Sequence, residues 1–183
     1  MPNPFFAFKQ FTVRHDRCAM KVGTDGVLLG AWTDLTDSRL ILDIGTGTGL
    51  IALMLAQRSA QTRITAIDID PDAVSQAQEN IQASPWKERV GASLQDLRTY
   101  TPDTRFDTIV SNPPYFEDSL KGPDGQRNTA RHTDTLSIHE LLEKVAALLT
   151  PDGRFSVVLP FEQTGHLVNV AAACGLYPSR HTA

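Results

Sequence analysis

The stretch Ser111 to Tyr115, "SNPPY", combines residue types that could orient a flat polar group. It follows the apolar run "FDTIV" (106–110), which reads as a buried strand. Proline cannot donate a backbone hydrogen bond or extend a central strand, so the strand must end here. If the Asn112 side-chain oxygen and the Pro113 carbonyl each accept one N–H, a planar amine or amide is held in place, and Tyr115 can stack on it.

A second stretch, "LDIGTGTGL", could bind a nucleoside-type cofactor. Gly45, Gly47 and Gly49 alternate after an apolar strand, and Asp68 ends the next strand, where a ribose-binding carboxylate belongs. Dinucleotide sites favour G-x-G-x-x-G, and here Leu50 stands where the third glycine would be. The pattern resembles the S-adenosylmethionine loop of class I methyltransferases.

Two further carboxylates complete the predicted cofactor site. Asp43, just before the loop, could act through the loop or attract the cationic end of the cofactor. Asp96 follows a probable strand at 89–94, where that class contacts the adenine amino group. A capping or turn role for Asp96 stays open, and Asn112 faces the same site.

Alternating strands and helices must position these residues. The predicted strands are "LILDI" (40–44), "RITAID" (63–68), 89–94, "FDTIV" (106–110) and "RFSVVLP" (154–160). Helix boundaries are indicated by Asp70 before Pro71, by the Ser137 and Glu140 capping box, and by Gly175. This order predicts one α/β domain, 1–183, with a mostly parallel, doubly wound, Rossmann-like sheet and helices on both faces. Residues 1–36 form an N-terminal segment and 37–183 the core.

Composition excludes several classes of protein. The 183 residues are 41% hydrophobic with net charge −4, which suits one globular domain without the overall basic field of a non-specific nucleic-acid binder. No window is apolar enough to span a membrane, and the cysteines and histidines lack metal-ligand spacing. We expect a cytoplasmic protein without metal.

Two segments have a local positive excess that could hold an RNA backbone. The first precedes the core, and the second lies within the long stretch 116–135, which we interpret as a functional lid or a disordered loop. For the first, a strand and helix that simply cover the cofactor remain an alternative. The candidate RNA-binding residues are Lys9, Arg14, His15, Arg17, Lys121, Arg127, Arg131 and His132.

Several motifs together resemble one family over nearly the whole chain. "FKQFTVRHDRCAMKVGTDGVLLGAW", "LDIGTGTGL", "SPWKERV" and "FDTIVSNPPYF" are similar to the tRNA1(Val) (adenine(37)-N6)-methyltransferase family. The resemblance implies S-adenosylmethionine as cofactor and an adenine beside a tRNA anticodon as substrate. By position it implies cofactor binding by Lys21, Gly23, Thr24, Asp25, Gly45, Gly47, Asp68 and Asp96, and catalysis by Asn112, Pro113, Pro114 and Tyr115.

Other interpretations remain open at this point. N-P-P-Y also occurs in enzymes that methylate glutamine N5 of a release factor, and a catalytically silent cofactor- or RNA-binding protein is possible. Family members usually continue past this C-terminal end, so we expect the sheet to lack its last strands.

Overall fold

The computed structural model describes residues 3–18, 20–113 and 136–182. Within these residues the main sheet contains five strands: β3 (Leu40–Ile44), β4 (Arg63–Asp68), β5 (Val90–Leu94), β6 (Phe106–Ser111) and β7 (Leu149–Val157). They are parallel and lie in the order β5, β4, β3, β6, β7. The helices are α1 (Thr24–Trp32), α2 (Leu50–Arg58), α3 (Pro71–Gln82), α4 (Ile138–Leu148) and α5 (Thr164–Ala173), with a 3₁₀ turn at Phe161–Gln163. The predicted α/β class is confirmed.

One strand starts earlier and ends earlier than predicted. We expected it at 154–160, but β7 begins at Leu149, directly after α4. Phe106 pairs with Leu149 while Thr108 pairs with Arg154, so a bulge takes up the intervening residues. The segment "TPDG" (150–153) therefore lies within the bulged strand.

The predicted helix boundaries are confirmed in detail. The Asp70 side chain accepts a hydrogen bond from the Asp72 N–H at 2.9 Å, and proline occupies the first position of α3. Ser137 and Glu140 form both bonds of a capping box. Gly175 has φ of 77°, the left-handed conformation expected just after a helix.

Alternate side chains of β3 pack into different layers, as they must in a buried strand. Ile41 belongs to a core with α2 and α3, whereas Leu42 belongs to a core with α4 on the other face. Helices thus cover both faces of the sheet. Asp43 takes the next position on the α2 face and is completely buried.

The N-terminal segment contains a small antiparallel hairpin before α1. Its strands are β1 (Phe5–Ala7) and β2 (Thr12–Arg14), with Phe5 opposite Arg14. Phe11 and Val13 are buried in the core on the α2 face. The segment is therefore packed on the core, and it contains a pair of strands and a helix where one strand and a helix were weighed from sequence.

Candidate active site

The predicted chemistry-bearing residues lie at the carboxyl ends of four adjacent strands. Asp96 follows β5, Asp68 ends β4, Gly45 follows β3 and Asn112 follows β6. Because these strands are parallel neighbours, the four positions share one edge of the sheet. This edge is where open parallel sheets bind their ligands.

The glycine loop, residues 45–49, requires glycine for its backbone shape. Gly45, Gly47 and Gly49 have φ of 69°, 54° and 80°, a region that other residues rarely adopt. The N–H groups of Gly45 and Thr46 both donate to the Ile67 carbonyl, at 2.9 and 3.0 Å. The loop is thereby bound to the end of β4.

The three glycines face different surroundings. A Cβ added to Gly45 or Gly47 would meet no atom within 4 Å among the described residues, so their backbone borders open space that a ligand can approach. A Cβ on Gly49 would lie 3.4 Å from the Ala77 Cβ of α3. Gly49, predicted as a cofactor contact, therefore supports the close packing of α2 against α3.

The Asp68 carboxylate is held in a fixed orientation by two backbone groups. Its Oδ2 accepts from the Gly47 N–H at 2.8 Å, and its Oδ1 accepts from the Asp70 N–H at 3.0 Å. The carboxylate is only half-buried, so lone pairs remain for ribose hydroxyls. The residue joins the glycine loop to the start of α3.

Asp43 lies buried beneath the glycine loop and bonds to it and to α2. Its Oδ2 accepts from the Thr46 hydroxyl at 2.7 Å and from the Ala52 N–H at 3.2 Å. Its Oδ1 is buried and has no hydrogen-bond partner within the described residues. Burial raises the pKa of Asp43 to about 6; the bonds from Thr46 and Ala52 lower it, and the charge of Asp68 adds to the rise.

Asp96 is held by a neighbour that sequence analysis did not single out. The Arg98 Nε donates to both carboxylate oxygens, at 3.0 and 2.9 Å, and its Nη2 donates to Oδ2 at 2.7 Å. The Arg98 N–H also donates to Oδ1. These hydrogen bonds lower the pKa of Asp96. The carboxylate is therefore ionised and fixed in orientation.

Asn112 lies between the glycine loop and α1. Ser111 pairs with Ile44 across the two strands, and its hydroxyl donates to the Ile44 carbonyl at 2.9 Å. This pairing places Asn112 next to Gly45. Asn112 is half-buried and Pro113 is buried. Pro114 and Tyr115 lie outside the described residues.

The segment Lys21 to Asp25 approaches the same edge. Lys21, Gly23 and Thr24 are exposed, and Gly23 is the N-cap of α1. A Cβ added to Gly26 would lie 3.9 Å from the Asn112 amide nitrogen and 3.1 Å from the Leu50 Cδ2. The first turn of α1 thus packs closely against the start of α2, beside Asn112.

The candidate RNA-binding residues fall into different environments. Lys9 and Arg14 are exposed on the hairpin, whereas Arg17 forms an ion pair with Glu79 at 2.8 Å. His15 is only 7% exposed, and both of its ring nitrogens lie within hydrogen-bond distance of backbone atoms. Its ring is therefore part of the interior, contrary to our expectation of an RNA-facing side chain. Lys121, Arg127, Arg131 and His132 lie outside the described residues, as does all of 116–135.

Residues 3–18, 20–113 and 136–182 contain neither a metal-binding cluster nor a membrane-spanning helix. No group of three or more histidine, cysteine, aspartate or glutamate side chains there is placed to hold a metal ion. No helix there is long and apolar enough to cross a membrane.

The sequence contained weak signals for the residues that were missed. Thr46 and Arg98 lie three and two positions after carboxylates that we had singled out, but nothing in the sequence indicates a direct bond. Asn80, which is 2% exposed, donates a hydrogen bond to the Thr48 carbonyl in the glycine loop, 32 residues earlier in the chain. Such long-range partners leave no local pattern.

Comparisons with known proteins agree with this geometry. The family described as "Methyltransferase small domain" matches residues 21–168. The tRNA1(Val) (adenine(37)-N6)-methyltransferase of Phocaeicola vulgatus is 59% identical over 182 residues, covering 100% of this chain and 77% of that protein. The protein of the same name from Bacteroides fragilis is 59% identical over 183 residues, covering 98% and 77%. The chain belongs to this tRNA1(Val) (adenine(37)-N6)-methyltransferase family.

Solved structures support the fold of this methyltransferase. An O-methyltransferase family protein from Burkholderia thailandensis superposes with a TM-score of 0.66 at 15% identity, covering 86% of this chain and 52% of that one. At such low sequence identity, the match supports the fold and nothing further. The predicted family, the enzyme class and the cofactor S-adenosylmethionine are confirmed.

Proposed function

We propose that this methyltransferase transfers a methyl group from S-adenosylmethionine to N6 of an adenine in tRNA, most specifically adenine 37 of tRNA1(Val). The observation that carries the proposal is the row of strand ends in which Asn112 lies beside Gly45. The names of the relatives support this substrate.

The residues at this edge of the sheet suit S-adenosylmethionine. The open space beside Gly45 and Gly47 admits a ligand against bare backbone, and Asp68 and Asp96 present fixed carboxylates at the ends of the neighbouring strands β4 and β5. Asp68 would accept the ribose hydroxyls and Asp96 the adenine amino group of the cofactor. Asp43 would act through the loop, because its bonded oxygen already holds Thr46 and Ala52.

The acceptor nitrogen would be held by the strand end. S-adenosylmethionine supplies an electrophilic methyl group on its sulfonium. The lone pair of adenine N6 is delocalised into the ring, so orientation is the main task of the protein. The Asn112 oxygen and the Pro113 carbonyl would each accept one N–H of that amine. Tyr115 would stack on the base and Pro114 would restrict the backbone, as the sequence predicts.

The remaining predicted contacts divide between cofactor and RNA. We infer that Lys21, Gly23, Thr24 and Asp25 close over the cofactor, because the adjoining first turn of α1 lies against Leu50 and Asn112. Lys9 and Arg14 would contact the RNA, and their exposure on the hairpin, with the 41% exposed Phe5 opposite Arg14, supports this. Flipping an unpaired anticodon-loop base out of its stack requires less free energy than flipping out a paired base. We infer that residues 1–183 act as one domain and, because tRNA is the proposed substrate, that the enzyme acts in the cytoplasm.

The test is methylation of an unmodified tRNA1(Val) transcript with labelled S-adenosylmethionine, followed by nucleoside analysis. We expect N6-methyladenosine, and none on a matched transcript with guanosine at position 37. Label on the guanosine-37 transcript would move the target adenine elsewhere. Label on a release factor but on neither transcript would overturn the RNA substrate in favour of glutamine N5.

A further inference from the structure

His15 lies in a part of the N-terminal segment that α3 fixes from two sides. The Asn80 side chain accepts from the Arg14 N–H at 2.8 Å and donates to the Arg14 carbonyl at 2.9 Å. The Gln76 Oε1 accepts from the Arg17 N–H at 3.2 Å. Asn80 and Gln76 are both almost completely buried. The backbone on either side of His15 is therefore attached to α3.

Asn80 also connects this attachment to the cofactor site. Its Nδ2 donates to the Thr48 carbonyl of the glycine loop at 2.9 Å. One buried amide thus uses its oxygen and its nitrogen to join β2, α3 and the loop. The position of His15 is fixed relative to the glycine loop.

From this position the imidazole reaches the segment that we propose closes over the cofactor. The Val22 N–H donates to the His15 Nδ1 at 3.4 Å, and Nε2 lies 2.8 Å from the Asn3 carbonyl. Nδ1 must accept and Nε2 must donate, which defines the neutral Nε2–H tautomer. Val22 directly follows Lys21 and precedes Gly23, the N-cap of α1.

We propose that His15 is a positioning residue for cofactor binding: through Nδ1 it holds Val22 and so places Lys21 to Asp25 over the glycine loop. This inference rests on the proposed role of that segment in closing over the cofactor. The ring touches neither the cofactor nor the acceptor. Its contribution is to reduce the ordering cost that cofactor binding would otherwise meet.

Two amide substitutions separate the two bonds of the ring. In His15→Asn the side-chain oxygen can lie near the Nδ1 position and accept from Val22. In His15→Gln the longer side chain can reach the Nε2 position and donate to Asn3, but Val22 loses its acceptor. Both variants bury one carboxamide, so they are matched in polarity.

The measurement is S-adenosylhomocysteine affinity by calorimetry, with amide hydrogen exchange at Val22 and thermal melting. We expect His15→Gln to weaken affinity by at most about tenfold, the loss corresponding to one part-buried hydrogen bond, and to speed Val22 exchange. His15→Asn should stay within about threefold of the wild type. The inference is overturned if both variants behave alike at equal melting temperature, or if His15→Gln leaves affinity and exchange unchanged.

A measurement on the wild type needs no substitution. Long-range nitrogen–proton correlation of His15 should show the Nε2–H tautomer, and the Nδ1–H tautomer would contradict the inference even if both variants failed to fold. Lys21→Ala tests the closing segment separately. If that change leaves cofactor affinity intact, the proposed role of the segment fails, while Val22 exchange still decides whether His15 positions it.

Discussion

The glycine loop and the segment Lys21 to Asp25 serve the same edge of the sheet but are held differently. The loop is held from within and from its neighbouring strand, by glycines with positive φ and bonds to Ile67 and Asp68. The segment is held at Val22 by a side chain, His15, whose own place depends on α3. The loop requires glycines for its own backbone conformation, whereas the segment requires a side chain from outside it.

The largest effect should come from Asn112, where the two regions meet. Asn112→Ala removes the side-chain oxygen that we propose accepts from the reacting amine, and we expect kcat to fall by about 10² to 10³, as for other groups that act at the reacting centre. Affinity for S-adenosylhomocysteine should stay within about threefold of the wild type, because the loop and Asp68 are untouched. Single-turnover kinetics and calorimetry measure the two quantities. A variant that transfers normally but binds cofactor poorly would contradict this assignment.

The second prediction concerns the buried Asp43 carboxyl and the dependence of stability on pH. Its folded pKa of about 6 exceeds the ordinary 3.8, so the folded protein binds the extra proton and stability falls as pH rises through that window. The Asp43→Asn variant has no carboxyl group at this position, so its stability does not change through this titration. The unfolding free energy of the variant relative to wild type should therefore rise by up to about 3 kcal/mol from pH 4 to pH 7.

Denaturation at several pH values measures that difference. Thr46→Val offers a sharper comparison, because it removes the hydroxyl that lowers the pKa of Asp43. Its own loss of stability with rising pH should extend to higher pH than in the wild type. A difference between Asp43→Asn and wild type that does not change with pH would show that Asp43 is not protonated on folding.

Gly47 and Gly175 form a matched pair with positive φ and open space beyond the Cβ position. Alanine at either should cost about 1 kcal/mol of stability through backbone strain. Only Gly47→Ala adds a methyl group beside the cofactor, so it should also weaken S-adenosylhomocysteine binding about tenfold. Calorimetry on both variants checks this. Equal affinities would mean that the loop meets the cofactor without close backbone contact.

The smallest effect concerns the attachment of the N-terminal segment. Arg17 and Glu79 form an ion pair in which the side chains are 48% and 44% exposed. Arg17→Met should change stability by less than about 1 kcal/mol and leave cofactor affinity unaltered, because Gln76 bonds the backbone of residue 17. Chemical denaturation tests the stability. If affinity also dropped, surface charge would contribute to holding the segment.

The sequence predicted what depends on local conformation. Alternating apolar runs located β3 and β4 to the residue, and the glycines located the loop, because each residue type is needed for the local backbone. The bulge that advances β7 to Leu149 depends on pairing with β6 and was missed. The bonds that Arg98 donates to Asp96 and that the Val22 N–H donates to His15 depend on side-chain directions that sequence spacing does not indicate.

The register between β3 and β6 has a consequence for how such an enzyme could change its substrate. Ile44 lies opposite Ser111, and neighbouring strands are about 4.8 Å apart, so Gly45 and Asn112 are separated by a spacing that backbone hydrogen bonds determine. A slip of one residue would turn the side chains of a strand to the opposite face. The proposed donor and acceptor positions are therefore set by the backbone pairing of the sheet. On this proposal, altered hairpins and loops around the edge could admit a new acceptor without changing that spacing.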